Sequence, residues 1–164
     1  MRPSVVLKLL VPVVALAFAA PASAGPKEDQ ALANYAGTWR GSSVVSGPMQ
    51  GPVDCALNFS AESGGKLRYA GDCTFDKGKT NFRGTIIYND AAKRYETAGS
   101  GQGVSVTGFG KASGSNITFS VANVETSYGV ASSTMVLAGS SIKLSFKLVD
   151  TKGTTAASIT FKKG

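Results

Sequence analysis

The chain has 164 residues, with 17 Lys and Arg against 10 Asp and Glu, a formal net charge of +7, no histidine and 2 cysteines. That composition excludes a Ser-His-Asp or Cys-His catalytic site and a histidine-ligated metal site, and the cysteine spacing is not C-x-x-C. The length suits a single domain able to bury a real core.

Residues 1–24 read as a secretory signal peptide. Arg2 and Lys8 form a positive n-region, Leu9 to Ala20 is an apolar run, and Ala22-Ser23-Ala24 is an A-x-A cleavage site. The run is shorter than the roughly 20 apolar residues of a transmembrane helix, and no nearby cysteine offers a site for a lipid anchor. Cleavage after Ala24 leaves one periplasmic or secreted domain, 25–164. Losing Arg2 and Lys8 lowers the net charge from +7 to +5. Lys66, Arg68, Lys77, Lys79 and Arg83 crowd one third of the chain. A basic soluble surface accounts for them. An anionic partner, such as a phospholipid headgroup, an envelope polymer or an acidic protein face, is the alternative. Nucleic acid is not expected.

Residues 26–36 predict one short helix, with Pro26 at its start, Glu28 and Asp29 in its first turn and Gly37 after its end. Leu32 and Tyr35, at i and i+3, would cover one end of a barrel. From residue 38 the pattern has period two. Strands are predicted at 38–45, 53–60, 65–71, 81–88, 93–98, 104–110, 115–121, 131–137, 140–149 and 154–162. In the second and third, Val53, Cys55, Leu57 and Phe59 share one face, and so do Leu67, Tyr69 and Cys73. Folding about Gly64 sets Cys55 opposite Cys73 and Phe59 opposite Tyr69. In an exported chain that pairing predicts a disulfide. Asn89-Asp90-Ala91-Ala92 predicts a hairpin with Ile86 opposite Tyr95, and Asp150-Thr151-Lys152-Gly153 predicts another. The run of neighbouring hairpins implies an all-β fold: a small closed up-and-down antiparallel barrel of 8–10 strands with a short N-terminal helix. Only one face of each strand is apolar and the chain ends in Lys162-Lys163-Gly164, so membrane insertion as an outer-membrane barrel is not expected.

The short helix followed by Gly37-Thr38-Trp39 resembles the calycin group (lipocalins, avidins and their bacterial relatives). The resemblance implies that Trp39 packs across the closed end of the barrel and that Gly37 gives it room. A longer pattern joins Trp39 to Cys55-x-Leu57-x-Phe59, to Lys66-Leu67-x-x-Ala70-Gly71-Asp72 and to Cys73. It is similar to the small periplasmic inhibitors of secreted bacterial metalloproteases, which are eight-stranded calycin-like barrels with a disulfide in the same place. That family inhibits through an extended N-terminus, whereas residues 25–36 here read as an acidic helix, so the resemblance speaks mainly for the scaffold. Ser63-Gly64-Gly65-Lys66-Leu67-Arg68-Tyr69 is loosely similar to a loop of bacterial periplasmic lysozyme inhibitors.

No catalytic constellation emerges. Asp54 and Asp72 flank the cysteines but have the opposite parity, so both should face solvent. Gly99-Ser100-Gly101-Gln102-Gly103 lacks a Walker lysine and a following helix, and reads as a hairpin loop. Catalytic, metal and cofactor sites are therefore not expected. Two non-enzymatic roles fit. The first is a monomeric periplasmic inhibitor of an envelope-directed hydrolase, either a protease or a peptidoglycan hydrolase such as lysozyme. It would contact its protein partner through loops 46–52 and 61–66 (Gly47, Met49, Gln50, Glu62, Ser63, Lys66), or through 25–36. The alternative is a lipocalin-like carrier of a small apolar ligand, or a structural envelope protein. For the carrier the inward set is Leu57, Phe59, Leu67, Tyr69, Ile86, Tyr88, Ile117, Phe119, Leu144 and Phe146. In a small barrel such residues fill a packed core by default.

Overall fold

The computed structural model describes residues 26–76 and 78–164; the expected leader, 1–24, lies outside them. The described residues form one helix and ten strands: α1 (Pro26–Ala33), β1 (Gly37–Val45), β2 (Gly51–Glu62), β3 (Lys66–Phe75), β4 (Gly78–Asn89), β5 (Arg94–Gly101), β6 (Val104–Ser113), β7 (Asn116–Thr126), β8 (Gly129–Ala138), β9 (Ser141–Asp150) and β10 (Gly153–Lys163). Each strand pairs antiparallel with its sequence neighbours, and β1 closes on β10. The expected closed up-and-down barrel with a short N-terminal helix is the fold observed. It has two strands more than the eight of the inhibitor family that the first half resembles. No described helix is long and apolar enough to cross a membrane.

The hairpin parity holds at the second and third strands. Cys55 pairs with Cys73 and Phe59 with Tyr69, and the two cysteines form a disulfide with their Cα atoms 4.1 Å apart. The β4–β5 register differs from expectation: Tyr88, not Ile86, faces Tyr95, and Ile86 faces Thr97. The turn lies one residue later than predicted. Asn89 Oδ1 accepts the Ala92 N–H at 3.0 Å and Lys93 takes a left-handed φ of 51°, so the strands resume pairing at Asn89 and Arg94. In the last hairpin Asp150 Oδ1 accepts the N–H groups of Lys152 and Gly153 at 2.7 and 3.1 Å, leaving Thr151 and Lys152 as a two-residue turn.

The closing seam is held at both ends. Trp39 and Arg40 lie opposite Lys163 and Lys162 at one end, and Ser46 bridges Ala156 at the other. Between them the Ser43 hydroxyl donates to the Ser158 carbonyl at 2.8 Å.

The helix ends earlier than the predicted residue 36. After Ala33 the chain tightens, with Tyr35 N–H bonded to the Leu32 carbonyl and Ala36 N–H to that of Ala33. This segment closes the barrel end built from the β2–β3, β4–β5, β6–β7 and β8–β9 turns. Leu32 and Tyr35 are buried, as expected of residues covering that end. Trp39 is 1% exposed, and its indole Nε1 donates to the Tyr35 carbonyl at 2.8 Å. Gly37 works differently from the expectation that it makes room for the indole. It has φ +125°, and a Cβ there would stand 3.0 Å from Lys163 Cε. The space it leaves is used by the Lys163 stem, whose Nζ lies 5.5 Å from the Trp39 ring centroid.

Candidate functional site: a hollow half-barrel

The interior is divided along its length. Towards the helix the inward positions carry Leu57, Phe59, Leu67, Ile86, Tyr95, Ile117, Leu137, Ile142 and Phe161, all buried and in one core with Leu32, Tyr35 and Trp39. Towards the other end the inward positions of β3 to β6 include Gly71, Gly84, Gly99, Gly101 and Gly108, and β8 contributes Ala131 and Ser133. A ring of ten strands has a wider bore than one of eight, and these small residues do not fill it. The result is a cavity of about 400 Å³, within the roughly 300–1,000 Å³ range of small-molecule sites.

Aromatic and aliphatic side chains dominate the lining, among them Tyr69, Phe75, Phe82, Phe119, Met135, Leu144 and Phe146. Gln102 and Tyr128, on the β5–β6 and β7–β8 turns, also line it and are exposed, so the cavity reaches solvent at the end away from the helix. Arg83 and Lys147 border it from outward strand positions, with exposed side chains. The disulfide belongs to the wall through Cys73.

The glycines determine how the aromatics lie. A Cβ on Gly71 would run into the Phe82 ring, and one on Gly110 would stand 2.5 Å from Phe119 Cε1. Tyr69 lies over both Gly84 and Gly99, with its hydroxyl 2.5 Å from where a Gly99 Cβ would be. The rings can therefore lie flat on the wall instead of crossing the lumen. The Tyr69 hydroxyl is 3.4 Å from Thr97 Oγ1, and Thr97 Oγ1 donates to the Thr85 carbonyl at 3.0 Å. Burial pushes the Tyr69 phenol above the ordinary tyrosine value, an effect partly offset by Thr97.

No family model and no curated protein matches the chain. A solved structure does. The crystal structure of Rv2717c from M. tuberculosis aligns with a TM-score of 0.61 at 12% identity, covering 84% of this chain and 97% of that one. At that identity the likeness is one of fold.

The inward set read from the sequence divides between the two halves. Leu57, Phe59, Leu67, Ile86 and Ile117 fill the closed half, Tyr88 packs beside it, and Tyr69, Phe119, Leu144 and Phe146 line the cavity. Asp54 and Asp72 face solvent as expected. Gly99 and Gly101 are not loop residues. They are β5 residues, paired with Gly84 and Phe82, and the turn is only Gln102-Gly103. The expected contact residues lie at both ends of β2. Gly47, Met49 and Gln50 are exposed in the turn at the open end. Glu62, Ser63 and Lys66 surround the turn at the closed end, where Glu62 pairs with Arg68 at 2.7 Å. Sequence reasoning missed Phe82 and Thr97; a glycine cross-strand from an aromatic was the available signal for Phe82.

Proposed function

We propose that this protein binds a small apolar molecule in the open half of its barrel. The observation that carries this reading is the division of the interior: a packed end sealed by Trp39 and the helix, and an apolar cavity of about 400 Å³ open at the other end. A chain needing only a stable core would fill that volume, because unfilled space forfeits dispersion contacts and costs stability. Glycine at consecutive inward positions also lowers strand stability, so both features weigh against a purely structural interior. Under this reading the leader-like segment 1–24 directs the binder to the periplasm or beyond.

Pyrene, a hydrocarbon whose emission bands report the polarity around it, is a direct probe. The protein is expected to bind it and give the apolar spectrum, and Ser133→Phe, which adds a ring at an inward position, should abolish the signal while the fold is retained. If pyrene stays in a water-like environment and native mass spectrometry shows no bound small molecule, the reading fails.

A hydrolase-inhibitor role has one feature in its support. Met49 is 49% exposed in the open-end turn, and Val44 on the outer face of β1 is exposed as well, as suits a contact surface on a rigid barrel. Because Glu62, Ser63 and Lys66 sit at the far end, a single target surface would engage one set or the other. Inhibition assays against a metalloprotease, a serine protease and a peptidoglycan hydrolase, repeated with Met49→Asp, test this role. Loss of inhibition in that variant supports it, and no inhibition by the wild type at micromolar concentration removes it.

A further inference from the structure

We infer that the ligand is an uncharged molecule with a hydrogen-bonding group, a hydroxyl or carbonyl, at its inner end, held by the Tyr69 hydroxyl. This inference rests on the ligand-binding reading above. Tyr69 faces the lumen near the boundary between the hollow and packed halves, with its ring fixed between Phe59 and Phe82 at centroid distances of 6.0 and 6.4 Å. Gly84 and Gly99 beneath it hold the hydroxyl against the wall.

The hydrogen-bond inventory leaves that hydroxyl only partly used. Thr97 has a single proton, which goes to the Thr85 carbonyl at 3.0 Å. Thr97 can therefore offer Tyr69 only a lone pair, at 3.4 Å. That is long for an O–H···O bond, which is usually about 2.7–2.8 Å. Among the described residues, nothing donates to the phenol oxygen. A buried tyrosine normally finds a good partner for its hydroxyl. Here the remaining space beside it is the cavity, so an oxygen on the ligand would complete the set, either accepting the phenol proton or donating to its oxygen.

The rest of the lining sets the charge. Among the described residues, no charged side chain takes an inward position around the cavity; Arg83 and Lys147 point outward. A carboxylate brought to Tyr69 would lose its water without meeting a cation, which is strongly unfavourable. Burial keeps the Tyr69 phenol protonated and neutral, in agreement with this geometry. Phe119, Met135, Leu144 and Ile159 add apolar surface to the lining, and the hydroxyls of Thr80, Thr126 and Ser133 lie elsewhere on the wall.

Competition against bound pyrene separates the outcomes. 1-Decanol and decanoate, the latter at pH 8, have equal chain lengths and differ in the polar head. Decanol is expected to displace pyrene at concentrations at least about tenfold below decanoate. Tyr69→Phe should weaken decanol relative to pyrene by about 5–10-fold, the worth of one hydrogen bond. Equal competition by the two heads, or full decanol affinity in Tyr69→Phe, overturns this inference while pyrene binding preserves the pocket. Failure of pyrene, decanol and decanoate alike overturns the pocket itself. If Tyr69→Phe does not fold, the decanol-to-decanoate ratio in the wild-type protein decides alone.

Discussion

The Tyr35 hydroxyl accepts the backbone N–H of Gly139 at 2.8 Å, joining the end of the N-terminal helix to the β8–β9 turn on the far side of the barrel mouth that the helix closes. This bond makes the helix a stopper held on two sides, since its own packing contacts are with β2, β3 and β4. Tyr35→Phe keeps the ring and removes the acceptor. Stability should fall by about 0.5–1.5 kcal/mol, read as a lower urea midpoint with an unchanged slope. A changed slope would instead mean that the closed end had opened.

Trp39 should be the most sensitive single position in that stopper. It is 1% exposed, and its Nε1 bond to the Tyr35 carbonyl ties the segment that follows the helix to β1. Trp39→Ala is expected to cost about 3–5 kcal/mol. Trp39→Phe should cost less but still expose the loss of that hydrogen bond. As the chain's one tryptophan, it should show blue-shifted native fluorescence with little quenching by acrylamide. Red-shifted, readily quenched emission contradicts its placement.

Cys55 and Cys73 are cross-strand partners separated by 18 residues. Closing a loop of that size is worth about 3 kcal/mol in the chain-entropy view. Cys55→Ala should therefore lower stability by about 2–5 kcal/mol, and peptide mapping without reductant should recover the two cysteine peptides as one linked species. Two free thiols would disprove the bond.

How far the sequence could be read depended on what its residues signal. Side-chain parity is a local property, and alternation at Val53, Cys55, Leu57 and Phe59 was enough to give both the strand and the disulfide partner. Turn position was less legible. The Asx turn at Asn89 and the left-handed Lys93 moved the β4–β5 register by one residue on each strand, which preserves parity and so escapes a pattern-based reading. The cavity was the least legible feature. Gly99 and Gly101 carry the same composition signal as a turn, and only the pairing of Gly99 with Gly84 and of Gly101 with Phe82 shows that they are strand residues that leave space. Whether an inward aromatic fills a barrel or lines a cavity depends on the residue facing it across the sheet.

Those facing pairs give contrasting predictions. The atoms nearest a Cβ on Gly71 are the far end of the Phe82 ring, which can swing into the cavity. Gly71→Ala should cost little, about 1 kcal/mol, and lower pyrene binding because the ring takes up ligand space. A Cβ on Gly84 meets the Ala98 carbonyl oxygen as well as the Tyr69 ring, and backbone in a paired strand cannot move aside as a ring can. Gly84→Ala should therefore cost more, up to about 3 kcal/mol. A double-mutant cycle separates the two: Phe82→Ala should remove most of the penalty of Gly71→Ala, while Tyr69→Ala should remove only part of that of Gly84→Ala. The same residual penalty in both cycles would contradict this account of the wall.

Alkaline stability follows from the same burial. Tyr69 is raised above its ordinary value mainly by desolvation, with Thr97 acting in the opposite direction. Tyr95 is raised first by desolvation and then by the negative charges of Glu28 and Asp29 and by Tyr88 and Tyr35. Both phenols are neutral when protonated, so below the unfolded-state value of about 10 the folded and unfolded chains hold the same protons and stability does not depend on these groups. Above it the unfolded chain ionises first while the folded chain retains its protons. Stability should therefore fall as pH rises from about 10 towards the higher folded-state values, and level off only beyond them. Denaturant midpoints measured across that window should decline in the wild type and decline less steeply in Tyr69→Phe. The near-ultraviolet phenolate signal of the native protein should also show two tyrosines titrating late. A midpoint that rises with pH there, or a Tyr69→Phe variant with an unaltered slope, would show that Tyr69 does not hold its proton in the folded barrel.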